Sequence, residues 1–220
     1  MTALVLAYGV EGVDYLGTPG AGRIESASVN VGSGTGRVAY IWWGQESSTG
    51  ANGPTTVSIP GQTTAFTYLA TESEAAAGYN ARMAYGPLDV ACNGSVVVTG
   101  NFSNNDHFNP VMIVLVYSDV GAGLIANYLW DFPLVDSTAF TTGSFTPPNG
   151  DLAVALGMMY VNNIRTMTAS GGSSLITGTG LNTASPIHAL HKVSTGAALT
   201  VASVVFPGVL SFVNPWEQPG

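Results

Sequence analysis

Residues 36–62, GRVAYIWWGQESSTGANGPTTVSIPGQ, decide the fold. Val38-Ala39-Tyr40-Ile41-Trp42-Trp43 is a run of β-forming residues that stops at Gly44. A loop of Ser, Thr, Gly, Asn and Pro follows, then a second strand pattern, Thr55-Thr56-Val57-Ser58-Ile59, and the turn Pro60-Gly61. The rest of the chain repeats this style, with short apolar strands, small polar turns and almost no charge. No 3.6-residue periodicity of useful length interrupts it.

Outward from that stretch, residues 24–31 (IESASVNV) alternate with one imperfect step, and residues 64–70 put Phe66 and Tyr68 on one face. Residues 111–117 (VMIVLVY) are apolar on both faces, which requires a central, doubly covered strand. Residues 72–78 (ESEAAAG) read as one or two helical turns ending at Gly78, and residues 124–132 as a strand or a short helical turn. The turn spacing predicts a single all-β domain, an antiparallel jelly-roll-like β-sandwich over residues 24–206. Residues 1–23 form an extended N-terminal arm and residues 207–220 a C-terminal tail. No exact internal repeat is visible.

Composition narrows the function. The 220 residues are 46% hydrophobic, enough for a sizeable core. Only 8% are charged, against about 25% in ordinary soluble domains. The surface must therefore be Ser, Thr, Asn and Gly, as in extracellular scaffolds and assembled particles or in an ordinary uncharged polar surface. The formal net charge is −8, and the cations Arg23, Arg37, Arg82, Arg165 and Lys192 are scattered, which excludes nucleic-acid binding as a main role. The single cysteine, Cys92, permits no intramolecular disulfide and no zinc site, and reads as a buried, inert thiol. The apolar N-terminus lacks a basic region, and no apolar run suits a membrane span.

Little chemistry is on offer. His188 and His191 are three apart in a strand-like segment, so they project to opposite faces and cannot chelate one metal; His107 stands apart. No cofactor is expected, with calcium at Asp106 or Asp119 as the one tolerated exception, since residues 101–106 are rich in Asn and Asp. Such a loop needs no metal to form its turn. Glu72 and Glu74 give no positive sign of a glycosidase pair. GSGTGR at 32–37 lacks the Lys-Ser/Thr of a phosphate loop and leads into a strand, so it reads as a turn. Trp42 and Trp43 face opposite sides of their strand, so one is core and the other exposed or covered by a second layer. Trp43 and Trp130 are candidates for stacking on sugars; core or intersubunit packing is the competing reading.

Several pieces, taken in order, resemble a jelly-roll or immunoglobulin-like sandwich of phage virion structural proteins. They are GRVAYIWWGQES, then TTVSIPGQTTAFT with Pro60 where a first Gly is commoner, ARMAYGPLDVACNGSVVVTGNFS, VMIVLVYSDV with Asp119 in place of a Gly, and FTPPNGDLAVALG. The resemblance spans residues 36–206. It implies a decoration, head-fibre or tail protein of a bacteriophage particle, located on the virion, homo-oligomeric and bound to capsid or tail subunits, with no catalytic residues. The alternative is a carbohydrate-binding jelly roll for host-surface glycans, and a glycan hydrolase ranks below both. Assembly contacts are expected from the two ends, through Leu4, Leu6, Tyr8 and Tyr15 in the arm and Phe212 and Trp216 in the tail. The competing arrangement folds both ends back onto their own sandwich edges.

Overall fold

The structure is a computed structural model of the chain. It describes residues 3–11, 22–46, 53–69, 72–74, 79–103, 108–119, 127–129, 139–141, 146, 149–150, 152–159, 166–169, 173–178, 187–193, 196–198, 201–204, 212–213 and 216–218. All regular structure among them is β, every ladder is antiparallel, and none of these residues is helical. The chain divides into two compact units, Met1–Val120 and Gly121–Gly220. The single sandwich expected over 24–206 therefore differs from the observed division, which falls just after the strand ending at Ser118.

Unit 1 contains β1 (Ala3–Glu11), β2 (Arg23–Glu25), β3 (Val29–Asn30), β4 (Arg37–Glu46), β5 (Pro54–Ser58), β6 (Thr67–Tyr68), β7 (Glu72–Glu74), β8 (Tyr79–Pro87), β9 (Ser95–Val96), β10 (Thr99–Phe102) and β11 (Phe108–Ser118). Its larger sheet runs β1-β11-β4-β8-β6, with β7 also on β8, and its smaller sheet runs β2-β10-β5. The segment 24–31, expected as one strand, is split between β2 and β3 in different sheets. Of the stretch 72–78, expected as helix, Glu72, Ser73 and Glu74 pair as β7 against β8, continuing the edge that β6 begins, and residues 75–78 lie outside the described residues.

One hydrophobic cluster joins the two sheets. Ala39, Ile41, Trp43, Ala84, Met112, Val114 and Val116 come from the larger sheet, and Ile24, Val57 and Phe102 from the smaller. The other face of β4 and β11 is buried too, at Tyr40, Trp42, Ile113 and Leu115. β11 lies between β1 and β4, as its unbroken apolar run requires. Burying each of its large side chains is worth about 1.5–3 kcal/mol, against about 1–2 kcal/mol per residue to order the backbone. A strand buried on both faces therefore holds its place without help from turn chemistry.

Unit 2 contains β12 (Asn127–Leu129), β13 (Ala139–Thr141), β14 (Leu152–Met159), β15 (Thr166–Ala169), β16 (Ser173–Gly178), β17 (Ile187–Val193), β18 (Val201–Val204), β19 (Phe212–Val213) and β20 (Trp216–Gln218). Its larger sheet runs β12-β20-β14-β17-β16, with β19 also on β14, and its smaller sheet runs β13-β18-β15.

The two units repeat one topology. Counting β6 with β7 and β19 with β20 as one strand each, and leaving aside the short β3–β9 ladder, each unit has strands one to eight. In both, the larger sheet reads first, eighth, third, sixth, fifth, and the smaller reads second, seventh, fourth. The turns agree as well. A glycine at positive φ precedes each third strand, Gly36 (φ 74°) before β4 and Gly150 (φ 93°) before β14. Another stands five residues before each seventh strand, Gly94 (φ 65°) before Thr99 and Gly196 (φ 78°) before Val201. Both of these later glycines approach the loop that leads into the third strand: Gly94 N donates to Gly32 O at 2.9 Å, and a Cβ placed on Gly196 would lie 3.7 Å from the Asn149 side chain.

Both ends of the chain pair within their own units. β1 runs along β11 from Ala3↔Ser118 to Glu11↔Val111, with a bulge between Leu4 and Leu6. Phe212 pairs with Met159, and Trp216 with Ala155. The glycines and prolines of the arm and tail mark turns but do not exclude pairing outside them. The glycine-rich stretch 12–21, with Tyr15, lies outside the described residues.

Candidate functional site

The richest side-chain constellation in unit 1 lies where the β5–β6 connection meets the β8–β9 connection. Pro60-Gly61 turns the chain, and Gly61 is essential there. Its φ is 85°, and a Cβ would come within 2.7 Å of Ala91 O. The turn delivers Gln62, Thr63 and Thr64 to Asp89. Both threonine hydroxyls donate to the Asp89 carboxylate, Thr63 Oγ1 to Oδ2 at 2.7 Å and Thr64 Oγ1 to Oδ1 at 2.6 Å, and both threonine backbone N–H groups donate to Oδ2. These four donors, the Thr64 hydroxyl foremost, hold the Asp89 carboxyl far below the usual carboxylate range.

Gln62 closes the same network. Its Nε2 donates to Thr64 O and Pro87 O, and its Oε1 accepts from Asp89 N and from the Cys92 thiol. Cys92 is fully buried, and desolvation, with the nearby Asp89 charge second, pushes its thiol pKa up. It is a packed, protonated thiol with no nucleophilic character.

Arg37 ties the neighbouring loops together. Its side chain is buried, and it donates to five main-chain carbonyls: Gly34, Val31, Gly32, Cys92 and Asp89. Gly32, Gly34 and Gly36 all take positive φ, which curls GSGTG around the guanidinium. A phosphate loop turns N–H groups inward; this one turns carbonyls toward a cation.

Beside this network is a cleft of about 210 Å³, lined by residues of β5, β6 and their connection. Tyr68 stands at it, fixed on two sides. Trp43 meets its ring edge-on at 6.3 Å, and the Arg82 guanidinium lies 4.7 Å from its centroid. Arg82 is itself pinned by Leu69 O and Thr55 O. The Tyr68 hydroxyl accepts from Val57 N at 3.1 Å.

The residues singled out from sequence fare unevenly. Trp42 and Trp43 are both fully buried, so Trp43 cannot stack on a sugar; its indole N–H donates to Asn101 O inside the fold. The reason is that both faces of β4 are covered, which a single strand pattern does not reveal. Trp130 lies outside the described residues. Leu6 and Tyr8 pack against the core, while Leu4 is 38% exposed. Asp119 takes φ 55°, a left-handed backbone in which Asp is tolerated, and its N–H donates to Gly36 O. Asp106 and His107 lie outside the described residues. The β14–β17 register runs without a shift from Ile187 to Val193, so positions 188 and 191 stay on opposite faces. Among the described residues no three His, Cys, Asp or Glu side chains gather as metal ligands. Sequence reading missed the Asp89–Thr63–Thr64–Gln62 network; its only trace was the Gln-Thr-Thr after Pro-Gly.

No family model matches the chain, and neither the curated proteins nor the solved structures include a significant match to it.

Proposed function

We propose that the chain is a structural component of a bacteriophage particle, a decoration, head-fibre or tail protein built from two jelly-roll units and acting by assembly with other virion proteins. The observation that carries this reading is the strand order, first-eighth-third-sixth in one sheet and second-seventh-fourth in the other, occurring twice. That order is the jelly-roll order except that the fifth strand stays beside the sixth, and jelly rolls are the architecture of viral capsid and lectin domains. Support also comes from the low charge, 8% of residues, since charged groups are depleted from interface cores. Three polar side chains of unit 1 hold loops in place: Arg37 on carbonyls, Asp89 on threonines, Cys92 by packing and its hydrogen bond to Gln62.

The contacts to partners are assigned to surfaces around β1, where Leu4 and Val5 are exposed, and to the C-terminal strands. Labelled imaging of purified particles, combined with solution mass of the isolated protein, tests this. Label on the virion and a homo-oligomeric mass support it; a monomer absent from particles overturns it.

A further inference from the structure

The cleft beside Tyr68 has features that structural roles leave unused. Its volume, about 210 Å³, is below the roughly 300–1,000 Å³ of sites for drug-sized ligands, so it suits a single ring. The buried side chains of Val57, Ile59 and Phe66 give it an apolar floor.

Its polar groups are few and oriented. The Tyr68 hydroxyl has accepted the Val57 N–H, so its own proton remains to donate. Its ring is clamped between Trp43 and Arg82, so little entropy is lost when that donor is used. Thr63 and Thr64 line the same cleft with their hydroxyl protons committed to Asp89, which leaves oxygen lone pairs as acceptors. The exposed Ser58 hydroxyl adds a group that can act either way.

Charge chemistry selects the ligand class. No cation lines the cleft, so nothing there neutralises a phosphate, sulfate or carboxylate. The nearby carboxylate, Asp89, is saturated by four donors and offers little to a cation. An apolar floor with one fixed donor and several fixed acceptors, all uncharged, matches a ring that carries hydroxyls on its rim and C–H groups on its face. We propose that this cleft is a subsite for one neutral sugar ring, with Tyr68 donating to a sugar oxygen, Thr63 and Thr64 accepting from sugar hydroxyls, and the Phe66 side of the floor taking the ring's C–H face. The site is independent of the role in particle assembly and would stand or fall without it.

The test uses the full chain and a panel of methyl glycosides of glucose, galactose, mannose and N-acetylglucosamine, read by saturation-transfer NMR and titration. At least one neutral glycoside should bind with a Kd in the millimolar range, on the order of −3 to −4 kcal/mol for so small a site. Ala65→Trp, at an exposed lining position, fills the cleft and should weaken binding at least about tenfold with the melting temperature unchanged. Ser58→Ala should weaken it by a smaller factor. Binding should not change with added salt, because no ion pair forms. The inference is overturned if none of the four glycosides binds, if Ala65→Trp binds as well as the parent chain, or if binding falls steeply with salt.

Discussion

Units 1 and 2 follow one topology with different residues, and the sharpest difference is in the eighth strand. In unit 1 it is β11, whose Val111–Tyr117 side chains are all buried. In unit 2 the described parts of the corresponding segment are β19 and β20, and the sequence between them is Asn214-Pro215. The registers make the equivalence explicit. Ile41 stands five residues after Gly36 and pairs with Val114, and Ala155 stands five after Gly150 and pairs with Trp216. Proline has no N–H to give a ladder and is confined to bulges and edges. The third strands differ in the same sense: Trp42 and Trp43 of unit 1 correspond to Leu156 and Gly157 of unit 2. The shared strand order therefore does not depend on a particular core. It goes with turns at corresponding places, and the core residues set how firmly each copy is held.

The largest effect that probes this contrast is a charge in the eighth strand. Val114→Asp places an unpaired carboxylate among Ile41, Met112 and Val116 and should abolish folding of unit 1, at a cost of several kcal/mol. Ile113→Asp should do the same from the other face. Trp216→Asp, at the equivalent position of unit 2, next to a proline that can give no N–H to a ladder, should cost less; chemical denaturation of the three variants checks the order. Equal losses would mean that the all-apolar run of β11 confers nothing extra.

Next comes Arg37. Arg37→Met removes the donor from five carbonyls and should destabilise the protein by about 3 kcal/mol, read as a lower urea midpoint. The residue one step after the equivalent glycine in unit 2 is Asp151, whose side chain is an acceptor with no N–H to offer a ring of carbonyls. Asp151→Ala should therefore cost under about 1 kcal/mol.

Asp89 gives a pH signature. Its folded pKa is depressed, so it stabilises the fold above the unfolded carboxylate value of about 4. That contribution is lost progressively as the pH falls below that value. Asp89→Asn should lower stability at neutral pH and flatten the acid limb of the stability profile. An unchanged acid limb would show that the threonine network is not linked to folding.

The smallest effects are the most direct test of the repeat. Gly94→Ala and Gly196→Ala each force a side chain into left-handed backbone, with open space around the first and only Asn149 near the second. Both should cost about 1 kcal/mol. A neutral result at one of them would break the correspondence at that turn.

Much of this architecture was readable in the sequence, for definable reasons. Residues 111–117 announced a central strand because seven apolar positions in a row have no other place in a β protein. Gly61, Gly94 and Gly150 announced turns through Pro-Gly and Asn-Gly pairs. The two-unit division was not readable, because it depends on which strands pair across 60 or more residues of sequence, as Asn127 does with Gln218. The repeat hid for a related reason. Topology is shared by the units at the level of pairing, while Trp43 corresponds in position to Gly157 and the connection between the sixth and seventh strands is longer in unit 1, where it carries β9. The cleft was invisible because Tyr68, Thr64 and Asp89 meet only through tertiary structure.

In each unit the first and eighth strands are neighbours, so the chain enters and leaves at the same place. Ala3 lies directly opposite Ser118 across the β1–β11 ladder. Unit 1 is thus nearly a closed ring of chain, needing only a short link between those two residues to be cut open elsewhere, as circular permutation requires. The same closeness makes such a unit a self-contained cassette. It can be spliced into a host loop, or copied in tandem behind itself, without pulling apart the ends of whatever surrounds it.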